Sequence, residues 1–285
     1  MSQNEVSFSE AQRDHMSRIC AELALKAGVQ IMRVRAAGAH VRYKSDASPV
    51  CEADEQAESV ILAGLSEHFP DIPVIAEEAF ARDGQTESSP AFFLVDALDG
   101  TKEFITGKDG FTVNIALIVQ GAPVMGAVYS PAGQRVWFAG ANAYATDVPL
   151  GAALPQPELW QKITVRPCPK SGMIAFSSSS HCEARALALL AELPIAIHQA
   201  YGSSLKFCRI AEGAGDIYPR FSPTMEWDTA AGDAILRAAG GGVLNESGQK
   251  LSYGRAGQGY RNPGFIALGD LKMQGAVTAL MSRIC

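Results

Sequence analysis

Residues 91–102 read AFFLVDALDGTK. An unbroken apolar run at 91–95 that stops at acids and a glycine is the pattern of a strand buried on both faces. Such a strand demands a covering layer above and below, and that requirement restricts the fold more than any other stretch of the chain. The run delivers two acids, Asp96 and Asp99, with Ala97 and Leu98 between them and Gly100 and Thr101 after them. A carboxylate brought into a buried place is unfavourable unless it is hydrogen-bonded or faced by a cation. On this reading the strand ends at Asp96 and a turn lets both carboxylates converge, with the Leu98 carbonyl between them. Few oxygen ligands with room for waters suit a hard cation such as Mg²⁺. Residues 101–104 open a short helix, so the N–H groups of Gly100 and Thr101 lie at a helix N-terminus, a place for phosphate. The competing reading is a polar turn in which Asp99 and Gly100 supply turn chemistry alone.

The rest of the pattern provides the layers. Met16, Ile19, Cys20, Leu23, Ala27 and Ile31 fall at helical spacing in residues 10–35, and Ala53, Ala57, Ile61 and Leu65 do so in residues 52–68. PVIAEE reads as a short strand ending in acids. FTVNIALIV and APVMGAVYS flank Gly121 as a hairpin, and QRVWFAG and AYAT continue an antiparallel sheet. Residues 147–161 show no period, and the boundary between two subdomains is placed there. Residues 1–150 then form an α+β, metal-binding subdomain, and residues 151–285 an α/β, substrate-specificity subdomain. In the second, MIAFS, DIYPR and GFIAL read as strands. Helices are expected at 182–193, at 204–213 with Ser203 or Ser204 as cap, at 227–241, and at 270–283.

Composition narrows the function. The chain has 285 residues, 47% of them apolar, which suffices for one large domain or two packed subdomains. The formal net charge of −6 argues against gripping a nucleic acid polymer, which needs a basic surface. A small anionic substrate stays open, because a bound cation inverts the sign of a local site. The six cysteines contain no CxxC pair, against a structural zinc site and a disulfide framework and for a reducing compartment. The polar, acidic opening residues are unlike a signal peptide. The apolar runs near Gly121 are too short to cross a bilayer. A cytoplasmic protein without an integral membrane segment is expected; a homodimer and peripheral contact with the inner membrane are left open.

Further acids are ordinary when taken singly. Glu77 and Glu78 follow a strand and precede no helix that would need them. Asp54 and Asp228 read as first-turn acids that offset a helix dipole. Their value lies in their order: AEE at 76–78, DALDGT at 96–101, WDTAAG at 227–232. That order resembles the magnesium-dependent, lithium-sensitive phosphatases of the inositol monophosphatase and fructose-1,6-bisphosphatase superfamily. Four stretches are similar to its bisphosphate nucleotidase branch: KSDASPVCEAD, DGTKEF, the block from GSSLKFC to WDTAAG, and NPGFIA. Three positions depart from the branch: Ala97 for proline, Cys51 for threonine, and Ser179 for arginine.

The resemblance implies a layered α/β/α/β/α sandwich. It implies that Glu77, Asp96, Asp99, Asp228 and the Leu98 carbonyl hold two or three Mg²⁺ ions, and that Asp54 and the Thr101 hydroxyl orient the attacking water. It implies phosphate binding by Gly100 and Thr101, and substrate selection by Ser203, Ser204, Lys206, Tyr218 and Arg220. The implied substrate is a small phosphorylated nucleotide, adenosine 3',5'-bisphosphate, whose 3'-phosphate is removed in support of sulfate assimilation. The nearest rival is an inositol or sugar phosphatase on the same fold. A haloacid-type phosphatase is disfavoured, since it needs one residue between its aspartates and here there are two. A catalytically silent relative is disfavoured because every ligand position carries an oxygen donor.

Overall fold

The computed structural model describes residues 6–38, 41–43, 49–84, 89–178 and 183–284. Ser179, His181 and Cys182, and residues 44–48 of the first acidic loop, lie outside the described residues. The chain opens with α1 (Glu10–Ala37), β1 (Val41–Tyr43), β2 (Pro49–Cys51) and α2 (Glu52–His68). There follow β3 (Val74–Ala76), α3 (Glu77–Asp83), β4 (Ala91–Asp99), α4 (Thr101–Ile105), β5 (Thr112–Val119), β6 (Ala122–Ser130), β7 (Arg135–Ala139), β8 (Ala143–Asp147) and β9 (Gln161–Lys162). The remainder is β10 (Met173–Ser178), α5 (Ala184–Ala191), β11 (Ile195–Tyr201), α6 (Leu205–Ala211), β12 (Ile217–Arg220), α7 (Ala230–Ala238), β13 (Gly242–Asn245), β14 (Phe265–Leu268) and α8 (Gln274–Ile284).

Two sheets organise the molecule. β3 to β9 form a seven-stranded sheet in chain order, parallel at β3–β4 and antiparallel elsewhere. The second sheet runs β11-β10-β12-β14-β13. Three cores bind five layers, the second enclosing the middle one. The first core joins Cys20, Ile31 and Ile61 of α1 and α2 to Phe93, Val95 and Ile115 of the first sheet. The second lies between the sheets, where Phe92, Leu94 and Ile118 meet Phe207 of α6, Ile235 of α7, and Phe176 and Phe265 of the second sheet. The third packs Ile217 and Ile266 against Leu189 of α5 and Val277 of α8. Consecutive residues of β4 thus feed opposite cores, which is why its sequence is apolar without alternation. The result is the expected α/β/α/β/α sandwich.

Local chemistry sets the helix starts. Ser9 caps α1 reciprocally with Gln12, the N–H of Ser9 donating over 2.8 Å and that of Gln12 over 3.2 Å. The first turn of α2 is closed by Asp54, which accepts from the Cys51 N–H at 2.8 Å. Among the described residues no helix is long and apolar enough to cross a membrane.

Several expectations are corrected. Glu77 and Glu78 do begin a helix, α3, which follows β3 without a turn. β4 does not stop at Asp96 but continues to Asp99. The helix expected at 227–241 is a single 3₁₀ turn, Glu226–Asp228, followed by α7. β11 was not anticipated, because this edge strand is exposed along most of its length and shows no apolar alternation. β13 hides in the residues after Gly240 and Gly241 that read as a helix end. β9 pairs with β8, so the first sheet reaches Lys162.

The two halves meet closely at Gly110 and Gly202. A Cβ on Gly202 would fall on the Gly110 carbonyl oxygen, whereas one on Gly257 would meet nothing within 4 Å. Gly202→Ala is therefore expected to destabilise the protein by about 1–3 kcal/mol, as overpacking does. Gly257→Ala should stay within about 0.5 kcal/mol of the parent. Urea unfolding followed by circular dichroism compares them; equal midpoints would refute the close-approach argument.

Candidate active site

The site is built on a defect in β4. In a regular strand residues three apart face opposite sides. Asp96 pairs with Asn114 and Asp99 with Thr112, so three steps on β4 match two on β5. This bulge adds one residue and changes the parity. Ala97 and Leu98, although consecutive, both pack into the first core, and Asp96 and Asp99 line one pocket. The Leu98 N–H donates to Asp96 Oδ1 at 3.0 Å, which holds the bulge closed. Gly100 turns the chain into α4 with φ +96°, and a Cβ there would come within 3.0 Å of the Gly110 carbonyl oxygen, so only glycine fits.

Two other elements bring acids to the same pocket, and α2 sets one behind Thr101 of its wall. α2 contributes Asp54, which accepts the Thr101 hydroxyl at 3.1 Å; that hydroxyl also lies 3.2 Å from the Leu98 carbonyl oxygen. The Cys51 thiol donates to Asp54 at 3.0 Å, and burial pushes it up to about 12, so it stays a neutral donor. α3 contributes Glu77 from its first position. The turn before α7 contributes Asp228, held by the Met225 N–H at 2.9 Å. Carboxylate oxygens of Glu77, Asp96 and Asp228 lie within 4.8 Å of one another. Asp99 stands beside this trio, and its Oδ2 accepts the Ser204 N–H at 2.8 Å.

The electrostatics are those of crowded, desolvated acids. Burial first, then Glu77, Asp99 and Asp228, raises Asp96 well above the usual carboxylate range. Burial, then Asp99 and Glu77, does the same to Asp228. Burial pushes Asp99 up to about 6, opposed by Lys206. Asp54 is raised by burial and partly restored by its hydrogen bonds from Cys51 and Thr101. Among the described residues neither Asp96 nor Asp228 forms an ion pair with lysine or arginine. Three facing carboxylates, all hard oxygen donors, fit a divalent cation such as Mg²⁺.

Residues of the second half divide. Ser203, Tyr218 and Arg220 line the pocket together with Gly100 and Thr101. Ser203 has φ +47°, and its hydroxyl is buried with no partner among the described residues. Ser204 and Lys206, expected to touch substrate, lie behind the wall instead. Ser204 does stand at the N-cap of α6, but its hydroxyl makes no capping bond and lies 2.7 Å from Asn114 Oδ1 and 2.8 Å from the Thr112 hydroxyl. Lys206 is 1% exposed and donates to the carbonyls of Tyr201 and Ser203. Burial brings Lys206 down to about 7, opposed by Asp99. Tyr218 offers little aromatic face: Phe207 and Phe265 pack edge-on against it, and the Lys206 ammonium lies 4.9 Å from its centroid. Sequence reasoning passed over Lys102, Ser178, Thr224 and Thr229, which also line the pocket. Lys102 could have been found from its place directly after Asp-Gly-Thr.

With this geometry in view, the matches to known proteins are consistent. The model of the inositol monophosphatase family matches residues 12–279. A 3'(2'),5'-bisphosphate nucleotidase CysQ from Salmonella typhimurium is 41% identical over 252 residues, covering 88% of this chain and 98% of that protein. The CysQ of Haemophilus influenzae is 27% identical over 260 residues, covering 90% and 94%. The crystal structure of Bacteroides thetaiotaomicron CysQ superposes with a TM-score of 0.75 at 34% identity, covering 90% of this chain and 97% of that one. The chain belongs to the inositol monophosphatase family.

The raised carboxylates make a prediction about the metal-free protein. A carboxyl raised above its unfolded value stabilises the fold below the unfolded value, and this is lost as pH rises through the folded value. For Asp99 the window runs from the ordinary 3.8 to about 6, and Asp96 and Asp228 extend the effect in the same direction. In EDTA the melting temperature should therefore fall between pH 5 and pH 8 more than it does in the Asp96→Asn variant. Mg²⁺ should raise it more at pH 8 than at pH 5, because cations and protons compete for the same oxygens. A Mg²⁺-induced shift independent of pH would refute the assignment.

Proposed function

We propose that the chain is a Mg²⁺-dependent phosphomonoesterase that converts adenosine 3',5'-bisphosphate and water to AMP and phosphate, a reaction linked to sulfate assimilation. The carrying observation is the trio of Glu77, Asp96 and Asp228 beside the Asp54–Thr101 pair. The CysQ relatives, named as 3'(2'),5'-bisphosphate nucleotidases and covered over almost their whole length, favour a nucleotide over an inositol phosphate.

Glu77, Asp96, Asp228, Asp99 and the Leu98 carbonyl are the residues that would hold the ions. When bound, the ions supply Lewis-acid stabilisation of the charge on the transferring phosphoryl group. The chain's own residues position and move protons. Because the Thr101 hydroxyl donates to Asp54, its lone pairs are left to accept from a water and aim it at phosphorus. Asp54, with its affinity for protons raised by burial, draws the proton of that water through Thr101. Water oxygen bonds to phosphorus as the bond to the ribose 3'-oxygen breaks; that oxygen takes a proton from solvent water, and Asp54 returns the proton it took to solvent. The N–H groups of Gly100 and Thr101 at the start of α4 receive phosphoryl oxygens. Arg220 adds a planar, permanently charged contact. Lys102, exposed on the same wall and without an ion pair among the described residues, meets the second phosphate.

Phosphate release with Mg²⁺ is expected to be faster from adenosine 3',5'-bisphosphate than from inositol 1-phosphate at equal concentration; the reverse order would overturn the substrate assignment. Asp54→Asn should lower kcat about 10²–10⁴-fold while Mg²⁺ binding, read by calorimetry, persists. Lys102→Ala should raise KM for the bisphosphate about 2–5-fold, as loss of an exposed charge contact does. Its KM for a simple phosphate monoester should not change, and an equal rise for both would remove Lys102 from the second-phosphate site.

A further inference from the structure

α3 is held at its middle by Phe80, whose ring packs against Trp227 and Tyr260, and by Ala79 against the first core, but its start has no such support. It is seven residues long, buries no residue, and its N-cap, Ala76, offers no side-chain hydrogen bond. A helix this short is unstable alone in water. Yet its first residue is Glu77, which must be fixed within the carboxylate trio. The anchor of its first turn comes from α2. Glu58, 4% exposed, turns both carboxylate oxygens to the first turn of α3. Its Oε2 accepts the Glu78 N–H at 2.8 Å, and its Oε1 accepts the Ala79 N–H at 2.9 Å. These are first-turn donors with no partner inside the helix. Glu58 forms no ion pair with lysine or arginine among the described residues. Among the described residues its hydrogen-bond donors are backbone N–H groups, and a buried carboxylate so bound fixes their position more than it neutralises anything.

Glu58 also lies four residues after Asp54, one turn along the same face of α2. One rigid helix therefore holds Asp54 against Thr101 and, through Glu58, holds the start of α3. We propose that Glu58 is a positioning residue: it sets the place of Glu77, and hence cation affinity, and keeps Glu77 in register with the Asp54–Thr101 pair. The inference rests on the reading of Glu77 as a cation ligand given above.

The test is Mg²⁺ binding by calorimetry, with Mn²⁺ paramagnetic resonance as a second probe, on the full chain. Wild type, Glu58→Gln, Glu77→Gln and the double variant are compared. Glu58→Gln retains shape but turns one acceptor into an amide that cannot accept an N–H. It should weaken Mg²⁺ binding about 10–100-fold, the range for groups that orient a ligand. The double variant should bind as Glu77→Gln alone, because Glu58 acts through Glu77. Unchanged affinity in Glu58→Gln, or losses that multiply in the double variant, would overturn the proposal. If Glu58→Gln fails to fold by circular dichroism in EDTA, Glu58→Asp is used, and an affinity equal to wild type there is the overturning result. The two readings fail differently. Wild-type binding that Glu77→Gln leaves untouched removes the ligand role of Glu77 and this inference together. Weakening by Glu77→Gln without weakening by Glu58→Gln removes this inference alone.

Discussion

Carboxylates held side by side out of water repel one another, and this repulsion is the constraint around which the molecule is arranged. Acids of this kind are usually neutralised by arginine or lysine. Here the fold uses main-chain N–H groups instead. Asp54 is held by Cys51, Asp96 by Leu98, Asp99 by Ser204, and Asp228 by Met225. An N–H donor orients a carboxylate without cancelling its charge. Each of Asp96, Asp99 and Asp228 gives one oxygen to such a donor, and no hydrogen bond among the described residues takes the other. The site is thus rigid and still negative, which is what cation binding asks of it.

Rigidity of that kind needs backbone that cannot move, and the five layers provide it. β4 lies between two cores, so its bulge is clamped by Ala97 and Leu98 on one side and by Asp96 facing β5 on the other. Asp228 reaches the pocket because α7 lies against the same sheet, and a Cβ on Gly126 would collide with the Ala231 carbonyl oxygen. Gly110 and Gly202 perform the same service between the halves. Close backbone approach, where glycines allow it, lets acids from β4, α3 and the turn before α7 share one pocket, with Asp54 of α2 bonded to its wall through Thr101.

How much of this was legible in the sequence depended on whether a residue acts through its own position or through a partner. The layered fold was readable because its strands and long helices carry strong apolar patterns. Glu77, Asp54 and Asp228 were readable only by their order along the chain, and the structure brings Glu77 and Asp228 together with Asp96. The bulge was not readable, since nothing in ALD distinguishes a strand with an extra residue from a turn. Ala97, which no local rule accounted for, fits once Ala97 and Leu98 are seen to enter the same core. Lys206 was read as a substrate contact from its place at a helix start, but its burial is a tertiary fact. Glu58 escaped notice although its spacing from Asp54 was visible, because its partners are backbone groups that no side-chain pattern reports.

The composition of the pocket wall bears on the order of binding in the proposed reaction. Its described residues include five acids, Glu77, Asp96, Asp99, Glu103 and Asp228, against two bases, Lys102 and Arg220. Lys206 cannot redress that balance at the wall, because its ammonium is turned to the carbonyls of Tyr201 and Ser203. A bisphosphate approaching this wall without cations meets a field of its own sign, strengthened by the low polarisability of the surrounding core. Divalent cations among the carboxylates reverse that sign. In the proposed reaction Arg220 and Lys102 then add to an attraction they could not create alone. The net charge of −6, which spoke against polymeric nucleic acid, is compatible with an anionic substrate when its acids gather where cations would bind.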